Sequence, residues 1–435
     1  MYRKADFGAD LYRIRSLPQD SGVTADFSGY AYYDVYHPAN FASGELYLYP
    51  ISGSGKDASG NTSGLGYSGF QQVNAIYGMF EFPLLNRLRI TAGIRAESVK
   101  QSVSGYNPET ETDKVSRSDE TNWMPSVHFI YALSDKINIR AAWYKTVARP
   151  DLRELSSFEY FDPLLMRSIS GNDLRSSSVT NYDLRYEFYP SPDEIFSASL
   201  FYKQLKDPIE LRLQASSGKP EYRFTNLEAA QDFGLELHFR KRVNLLYSGF
   251  PLLDHLYLSG SFTWLKASVK LEPVKDTSGI SYKRERPLYG QSPYILNGGI
   301  QHSGKRFGLS ILYNRYGKRI LFAARSMSED EYEKPRDVVD LQFRYTFFKQ
   351  QRAELRLNIS DLLNQPSLTY KNQYGQGQMK YAERTPSVQD VPGISYQLAK
   401  GQADPKGTAY NKNYDVITGR RRYGTTWSLH FRYRL

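Results

Sequence analysis

Six histidines are the residues of this sequence whose type could bind a transition metal or transfer a proton. They are His37, His128, His238, His255, His302 and His430. A local metal site needs two ligands at a spacing such as His-x-His or His-Glu-x-x-His, and neither spacing occurs. The spacing therefore predicts no metal centre and no resident cofactor, and it favours isolated histidines in contact with water.

Two further patterns could bind phosphate or support hydrolysis. The segment Gly53-Ser54-Gly55-Lys56-Asp57 is similar to a phosphate-binding loop, but Pro50 stands where that loop needs a glycine and Asp57 replaces the required Ser or Thr. Ser126 and His128 share one face of a predicted strand, which alternation alone produces. No Gly-x-Ser-x-Gly element lies on a strand-to-helix elbow that could present a nucleophile. The sequence therefore predicts no catalytic residue and no enzyme.

Composition narrows the class of protein. The chain has 435 residues, of which 36 are tyrosine, 23 are phenylalanine and none is cysteine. So many aromatic residues offer apolar surface for burial, which excludes a disordered chain. The mean hydropathy is −0.57, and no apolar run approaches the length of about 20 residues that a transmembrane helix requires. Transmembrane strands escape this test, because they alternate lipid-facing and water-facing residues.

The formal net charge of +10 would ordinarily suggest nucleic acid as a partner. Lysine and arginine are instead spread through every segment, and no basic tract is longer than Gly419-Arg420-Arg421-Arg422. No basic face is defined by this distribution. The sequence therefore indicates no nucleic-acid partner, and it favours cations in solvated loops or in a water-filled lumen.

Strict alternation of apolar and polar residues recurs along the chain. One face of the segment 353–360 carries Ala353, Leu355, Leu357 and Ile359, and the other carries Glu354, Arg356, Asn358 and Ser360. The first face suits lipid and the second suits water. The preceding segment alternates in the same way, and only Phe348-Lys349-Gln350-Gln351 separates the two, which is typical of an antiparallel hairpin.

About fifteen strands are predicted when the same pattern is followed along the whole chain. They are placed near 2–15, 23–36, 72–82, 88–104, 122–133, 137–147, 179–190, 194–206, 227–243, 255–270, 289–302, 306–321, 336–347, 352–363 and 422–435. Short and long connections alternate along the chain. The long connections are 37–71, 105–121, 148–178, 207–226, 271–288, 322–335 and 364–421. This regularity predicts an all-β, antiparallel transmembrane barrel with short periplasmic turns and long extracellular loops.

Several segments from residue 122 onward resemble a known family. They are Ala148–Leu155, Gly171–Leu174, Asn181–Glu187, Ser199–Lys203, Asp207–Glu210 and Asn358–Asn364. Their order and spacing resemble the C-terminal part of the barrel of TonB-dependent outer-membrane receptors, of the type common in Bacteroidota. The Arg149-Pro150 step within the first segment is interpreted as a strand end, because proline restricts the preceding residue to extended geometry.

The resemblance implies an integral outer-membrane receptor that takes up a scarce nutrient with energy from the inner membrane. The family's barrel has about 22 strands, so residues 1–435 are expected to be its C-terminal portion, truncated at the N-terminus and lacking the signal peptide and the plug domain. An open first and last strand is then expected. The implied partners are outer-membrane lipid, the barrel-assembly machinery, a TonB-type energy transducer acting through the plug, a surface lipoprotein and the nutrient itself.

The long loops are where ligand binding is expected, because loops on a rigid scaffold commonly carry it. One loop carries Tyr370, Asn372 and Tyr374, whose phenol and amide groups suit sugars, peptides or chelates. An earlier loop carries Phe158, Tyr160 and Phe161. These six residues are the candidate ligand contacts, and packing between loops is the alternative for each of them.

The last predicted strand carries a second candidate signal. Its apolar face consists of Trp427, Leu429, Phe431, Tyr433 and Leu435, and Gly424 precedes it. This series resembles the C-terminal signal read by the barrel-assembly machinery, although the usual last residue is aromatic. Since the strand follows a long loop, Leu435 is expected at the periplasmic face.

Two other functions remain open at this point. A passive porin of about 14 to 16 strands would leave an aqueous channel, and a soluble β-rich binding protein would need its apolar faces covered by protein. Among cargoes for a receptor, the sequence does not distinguish an iron chelate, a corrinoid, an oligosaccharide and a peptide.

Overall fold

The computed structural model describes most of the chain. The described residues are 2–8, 12–16, 46–50, 66–107, 112–157, 159–162, 167–215, 220–243, 255–270, 274–275, 281–282, 286–324, 330–348, 352–371, 410, 412 and 415–433. The predicted strand 23–36 lies outside these residues.

Strands dominate the described chain. In chain order they are β1 (Tyr2–Gly8), β2 (Tyr12–Ser16), β3 (Leu46–Pro50), β4 (Gly66–Leu85), β5 (Leu88–Asn107), β6 (Thr112–Ser134), β7 (Ile137–Ala148), β8 (Glu159–Asp162), β9 (Arg167–Ser170), β10 (Ser177–Phe188), β11 (Ile195–Lys206), β12 (Ile209–Ala215), β13 (Pro220–Asn226), β14 (Ala229–Arg242), β15 (Leu256–Lys270), β16 (Val274–Lys275), β17 (Ser281–Tyr282), β18 (Tyr294–Ser303), β19 (Phe307–Tyr316), β20 (Arg319–Ala324), β21 (Glu331–Glu333), β22 (Arg336–Phe347), β23 (Ala353–Ser360), β24 (Ser367–Lys371), β25 (Val416–Arg421) and β26 (Thr426–Tyr433).

A single turn of helix, α1 (Leu152–Leu155), follows β7. Within the described ranges, no helix reaches the length and apolar character needed to cross a membrane.

Fourteen strands form one large antiparallel sheet, here called the main sheet. Its order is β1-β4-β5-β6-β7-β10-β11-β14-β15-β18-β19-β22-β23-β26. Neighbours in the sheet are therefore successive long strands of the chain, joined at one end by short turns such as residues 135–136 and 304–306. The predicted all-β antiparallel fold is confirmed, and the end of the main sheet away from these turns is called the long-loop end.

The register of the main sheet aligns its apolar residues into continuous rows. One row crosses eight strands through Phe82, Ile90, Phe129, Ala141, Leu184, Leu200, Leu235 and Trp264. Another crosses six strands through Leu258, Ile300, Ile311, Leu341, Ile359 and Trp427. Because side chains alternate between the faces of a strand, these rows make one side of the sheet an apolar face. Lipid, rather than protein, is the environment that this face suits.

The opposite side of the main sheet carries hydrogen-bonded polar groups. Arg140 and Arg185 both donate to Glu187, at 2.8 and 2.9 Å, and join β7 to β10. Further along the sheet, the amide of Asn314 donates to Asn297, whose own amide donates to Ser261. This polar face corresponds to the predicted water-facing side.

Two predicted boundaries are wrong. The long loop expected at 105–121 is mostly strand, because β5 and β6 continue to pair as far as Asn107 opposite Thr112. In the preceding part of β5, Val103 is 1% exposed and belongs to a buried cluster with Leu152 and Leu155, so the extended hairpin packs against the segment that follows β7. The strand expected at 2–15 is divided into β1 and β2, and β2 pairs with β3 outside the main sheet.

The two ends of the main sheet are β1 and β26. β1 pairs with β4, and β26 pairs with β23. Among the described strands, β1 and β26 are not paired with each other, so the main sheet is open here.

Ile300 and Gln301 are neighbours in β18 that test the assignment of the two faces. The variant Ile300→Arg is expected to lower the free energy of unfolding by about 2–4 kcal/mol, because arginine on the lipid face of a barrel costs that much near the bilayer centre. Gln301→Arg lies on the polar face and is expected to stay within about 0.5 kcal/mol of the parent. Denaturant titration of the protein refolded into phospholipid vesicles measures both. Equal losses would contradict the assignment.

Candidate functional site

The long loops form a second sheet at the long-loop end, here called the loop sheet. Its eight strands follow the order β25-β24-β21-β20-β12-β13-β9-β8. Each pair comes from a different connection of the main sheet: β8 and β9 follow β7, β12 and β13 follow β11, β20 and β21 follow β19, and β24 and β25 follow β23. Four connections that are far apart in sequence therefore share one hydrogen-bonded surface.

Parallel pairing joins connections that no tight turn could bring together. β12 lies parallel to β20, with Arg212 beside Ala323, and β13 lies parallel to β9, with Tyr222 beside Ile169. β21 continues the sheet by antiparallel pairing with β24. Since sheet neighbours fix each other's position through the backbone, the four connections are positioned as a unit.

The largest cluster of buried apolar residues lies under this sheet. It contains Tyr67, Val103, Leu152, Leu155, Tyr160, Ile169, Leu174, Leu211, Tyr222 and Phe322. The rings of Tyr222 and Phe322 are 4.6 Å apart between centroids and join β13 to β20. Burial of a side chain as large as Phe322 stabilises the folded state by about 2 kcal/mol. The loops therefore have a hydrophobic core of their own.

A second cluster is formed by residues of β20, β21 and β24 in the loop sheet. It packs Ile320, Ala323, Tyr332 and Tyr370 together. The Tyr370 ring stacks on Tyr332 at 5.7 Å and meets Tyr410 edge-on at 5.2 Å. Burial raises the pKa of Tyr370, with the Asp415 carboxylate adding to the effect.

Arg149 and Pro150 connect β7 to α1 and the loop sheet. The Arg149 guanidinium forms an ion pair with Glu97, and the Gln101 side chain donates to the Pro150 carbonyl at 3.0 Å. The backbone N–H of Asp151 then donates to Glu154 at 3.0 Å, which starts the helix. These contacts support the predicted interpretation of Arg149-Pro150 as a strand end.

Gly171 lies where the chain returns from β9 past α1. A side chain on this residue would collide with the backbone oxygens of Glu154 and Ser156. The next residue, Asn172, donates its N–H to the Glu154 carbonyl at 2.8 Å. Only glycine permits this close approach, which closes the α1 turn against the start of β10.

One ion pair is completely buried among the loops. Arg286 donates to both oxygens of Glu210, at 2.6 and 2.7 Å, and their side chains are 1% and 0% exposed. The N–H of Tyr289 also donates to Glu210, at 3.1 Å. This bidentate pair ties β12 to the connection between β15 and β18, whose described strands β16 and β17 pair with each other outside the loop sheet.

The surroundings of Arg286 favour its charged form. Burial disfavours the Arg286 cation, but the hydrogen bonds and charge of Glu210 outweigh it and raise the pKa of Arg286 above its usual value. A buried charge without its partner is costly, whereas here each of the two charges has its counter-ion. The pair therefore acts as a geometric clamp between two connections.

Carboxylates of the acidic segment Asp330–Glu333 accept hydrogen bonds from neighbouring strands. Asp330 accepts the N–H of Ala324 at 2.7 Å. The Glu333 carboxylate accepts hydrogen bonds from Arg319 at 2.6 Å and from Ser367 at 2.8 Å. These bonds join β21 to β20 and β24. In the described chain, no group of three or more His, Cys, Asp or Glu residues could hold a metal ion.

Three of the six candidate ligand residues lie within the described part of the chain, and three lie outside it. Tyr160 and Tyr370 are buried in the two clusters, and Tyr160 lies 4.8 Å from the Arg153 guanidinium. Phe161 belongs to β8. Phe158, Asn372 and Tyr374 lie outside the described residues. Tyr160 and Tyr370 thus make the contacts of core residues, and ligand binding by the set stays a prediction.

The candidate assembly signal lies on the outermost strand of the main sheet. Trp427, Leu429 and Phe431 are each more than 60% exposed, and they face Ile359, Leu357 and Leu355 of β23. Tyr433 continues the series, and Leu435 lies outside the described residues. Gly424 has a φ of +81° just before β26, a conformation that favours glycine.

Sequence reasoning missed the loop sheet and its clamp. The alternation of Ile209, Leu211 and Leu213 is the signal that could have identified β12. Glu210 lies within a segment that resembles the family, but its partner Arg286 is 76 residues away in a segment without alternation. No local pattern could have predicted that pairing.

The sequence and fold were compared with known proteins. Residues 3–362 match the profile of the family described as "TonB dependent receptor-like, beta-barrel". No curated protein matches the chain.

The chain is similar to solved structures of low sequence identity. The siderophore receptor PiuA from Acinetobacter baumannii is 9% identical with a TM-score of 0.50, over 74% of this chain and 41% of that one. The ferric-catecholate import receptor Fiu from K12 E. coli is 13% identical with a TM-score of 0.48, over 72% and 44%. The ferric citrate transporter FecA is 12% identical with a TM-score of 0.49, over 75% and 45%. This chain thus covers less than half of each of these receptors.

Glu210→Gln tests the clamp between the loops. Loss of the carboxylate charge leaves Arg286 buried without its counter-ion, so local stability is expected to fall by about 3–5 kcal/mol. Hydrogen exchange of the backbone amides of β12 and β20 measures the loss. The matched control is Glu228→Gln, because the Glu228–Lys270 pair is 66% and 65% exposed and is worth about 0–1 kcal/mol. Equal effects of the two variants would contradict a clamp at Glu210.

Gly171→Ala tests the close approach at α1. The added methyl group is expected to push α1 away and lower the stability of the loop sheet by about 1–3 kcal/mol, as overpacking does. Limited proteolysis between β7 and β10 should then become faster. Gly298→Ala, where an added methyl group meets no atom within 4 Å, serves as the control. A proteolysis rate unchanged in Gly171→Ala would refute the predicted collision.

Proposed function

Because the chain belongs to the family of TonB-dependent receptor-like β-barrels, we propose that it forms part of an outer-membrane receptor for energy-dependent uptake of a scarce nutrient. The observation that carries the proposal is the family match across residues 3–362. Members of this family are integral outer-membrane barrels, and they are transporters rather than enzymes. The continuous apolar rows of the main sheet support the same environment.

The loop sheet is the part of the chain that we assign to ligand binding. Ligand sites on loops need a rigid support, since a displaced contact loses affinity. Two hydrophobic clusters and the Glu210–Arg286 pair supply that support. We place the long-loop end outside the cell, so that this surface meets the nutrient first.

The candidate contacts belong to the supported strands or lie close to them in sequence. Tyr160 anchors β8, in which Phe161 follows it, and Tyr370 anchors β24, after which Asn372 and Tyr374 follow in sequence. Phenol and amide groups at those positions would bind a ligand by stacking and hydrogen bonding. An iron chelate, a corrinoid, an oligosaccharide and a peptide all suit such groups.

In the intact receptor, the transport step would come from parts outside this chain. A plug inside the barrel would engage a TonB-type energy transducer, and its movement would admit the bound nutrient. The series from Gly424 to Leu435 would direct barrel assembly, with the C-terminus in the periplasm, and a surface lipoprotein would be a further partner. These assignments rest on the family.

A soluble binding protein and a passive porin are the two alternative functions, and each would require a different structural feature. A soluble binding protein would have to cover the exposed apolar rows, and Trp427, Leu429 and Phe431 argue against it. A passive porin would need an open channel at the long-loop end, where the loop sheet instead joins four connections. Dependence on energy separates a porin from a receptor directly.

Nutrient uptake by cells that carry or lack the intact receptor tests the proposal. Labelled ferric chelate, corrinoid, oligosaccharide and peptide are supplied separately, with and without a protonophore. Uptake of one class is expected to fall to background both in the deletion strain and with the protonophore, while surface binding persists with the protonophore. Uptake that is lost on deletion but insensitive to the protonophore would establish a passive channel instead.

A further inference from the structure

The apolar face of the main sheet ends in an aromatic row at the long-loop end. The row runs through Trp143, Tyr182, Tyr202 and Phe233 across four neighbouring strands. Tryptophan and tyrosine accumulate where a membrane meets water, because one end of the ring is apolar and the other is polar. In the same row, the residue opposite Phe233 on β15 is Lys266. A cation thus replaces the next aromatic residue at the membrane boundary.

Lys266 lies at the edge of a groove of about 320 Å³. One wall is formed by Trp264 and Lys266 of β15, and Pro287 and Pro293 border it where the chain approaches β18. The surface of the groove is mostly apolar. The Phe233 ring packs edge-on against Trp264 at 6.1 Å, so the groove continues into the aromatic part of the apolar face.

Three cations line this groove. Among the described residues, its lining contains Lys266, Lys318 and Arg319 and neither aspartate nor glutamate. Arg319 is paired with Glu333, while Lys266 is exposed and the Lys318 ammonium lies 5.6 Å from the Tyr332 ring centroid. Two lysine ammonium groups therefore flank an apolar groove at the height where lipid headgroups meet the protein.

We propose that this groove, here called the rim groove, binds the headgroup of a phosphate-bearing membrane lipid. The lysines would contact the phosphate, and the acyl chains would lie over the exposed apolar residues below, including Phe262 and Leu296. Basic pockets at the membrane surface recognise anionic headgroups in this way. The inference rests on the membrane placement of the proposed function and is independent of the cargo.

The position of the rim groove decides between a lipid and a soluble anion. Trp264 and Lys266 project from the apolar face, two residues apart on β15. A soluble ligand captured for transport would instead bind on the polar side or within the loop sheet. Apolar rows that lead directly into the rim groove offer an acyl chain a continuous surface.

The test uses the intact receptor in detergent micelles, titrated with phosphatidic acid or phosphatidylcholine and analysed by native mass spectrometry. Lys266→Gln is expected to weaken phosphatidic acid binding about fivefold, and Lys266→Gln with Lys318→Gln about twentyfold, since one basic residue near an anionic lipid surface contributes a factor of this size. Phosphatidylcholine binding should be the same in all variants. Heat-modifiable electrophoretic mobility confirms that each variant is folded.

The matched control is Lys145→Gln. Lys145 is an exposed lysine two residues beyond Trp143 on the apolar side of β7, at the same end of the sheet. The Lys145→Gln variant is expected to leave the binding of phosphatidic acid unchanged. Weakening equal to that of Lys266→Gln, or wild-type binding by the double variant, would overturn the proposal. Displacement of phosphatidic acid by an equal concentration of inorganic phosphate would also overturn it, because the rim groove would then be a free phosphate site. Nutrient uptake, measured separately, reports on the proposed function alone.

Discussion

Every peptide group at the depth of the hydrocarbon must be hydrogen-bonded within the protein, and the main sheet follows from this constraint. Lipid offers no donor or acceptor, so an irregular segment there would leave polar groups unsatisfied. Successive strands of the main sheet therefore pair along their length. Irregular connections are confined to the short-turn end and the long-loop end of this sheet. The same continuous pairing aligns Leu200, Leu235 and their neighbours into rows, which gives the sheet its apolar face.

The strands of the loop sheet are also joined by backbone hydrogen bonds, but the physical reason is different. Water can satisfy loop backbones, so pairing there is not compulsory, and the loops must gain stability by burying side chains. The buried apolar clusters lie at this end, whereas the apolar residues of the main sheet are largely exposed. Stability of the main sheet therefore depends on the surrounding lipid, and stability of the loop sheet depends on contacts such as Tyr222 with Phe322.

This division explains how much the sequence could predict. In β23, alternation follows from a local environment with two faces, so Leu355, Leu357 and Ile359 identify the strand from a few residues. The loop sheet has no such rule, because β12 meets β20 through parallel pairing between distant connections. Of the candidate site, the sequence predicts ligand contact for six loop residues, with packing between loops as the alternative for each of them. Tyr160 and Tyr370 show the limit, since an aromatic residue that could stack on a ligand can equally stack on Arg153 or Tyr332.

The buried Glu210–Arg286 pair adds precision rather than a large share of stability. A hydrophobic pair of similar size would stabilise the loops as well or better, because charges lose hydration when they are buried. A bidentate pair, however, accepts only one arrangement of its two planar groups, and the Tyr289 N–H narrows it further. β12 is thereby held in one position against a connection whose described strands do not pair with it. A surface assembled from separate loops can present a ligand site only if those loops keep fixed positions, and this pair provides that constraint where backbone pairing is absent.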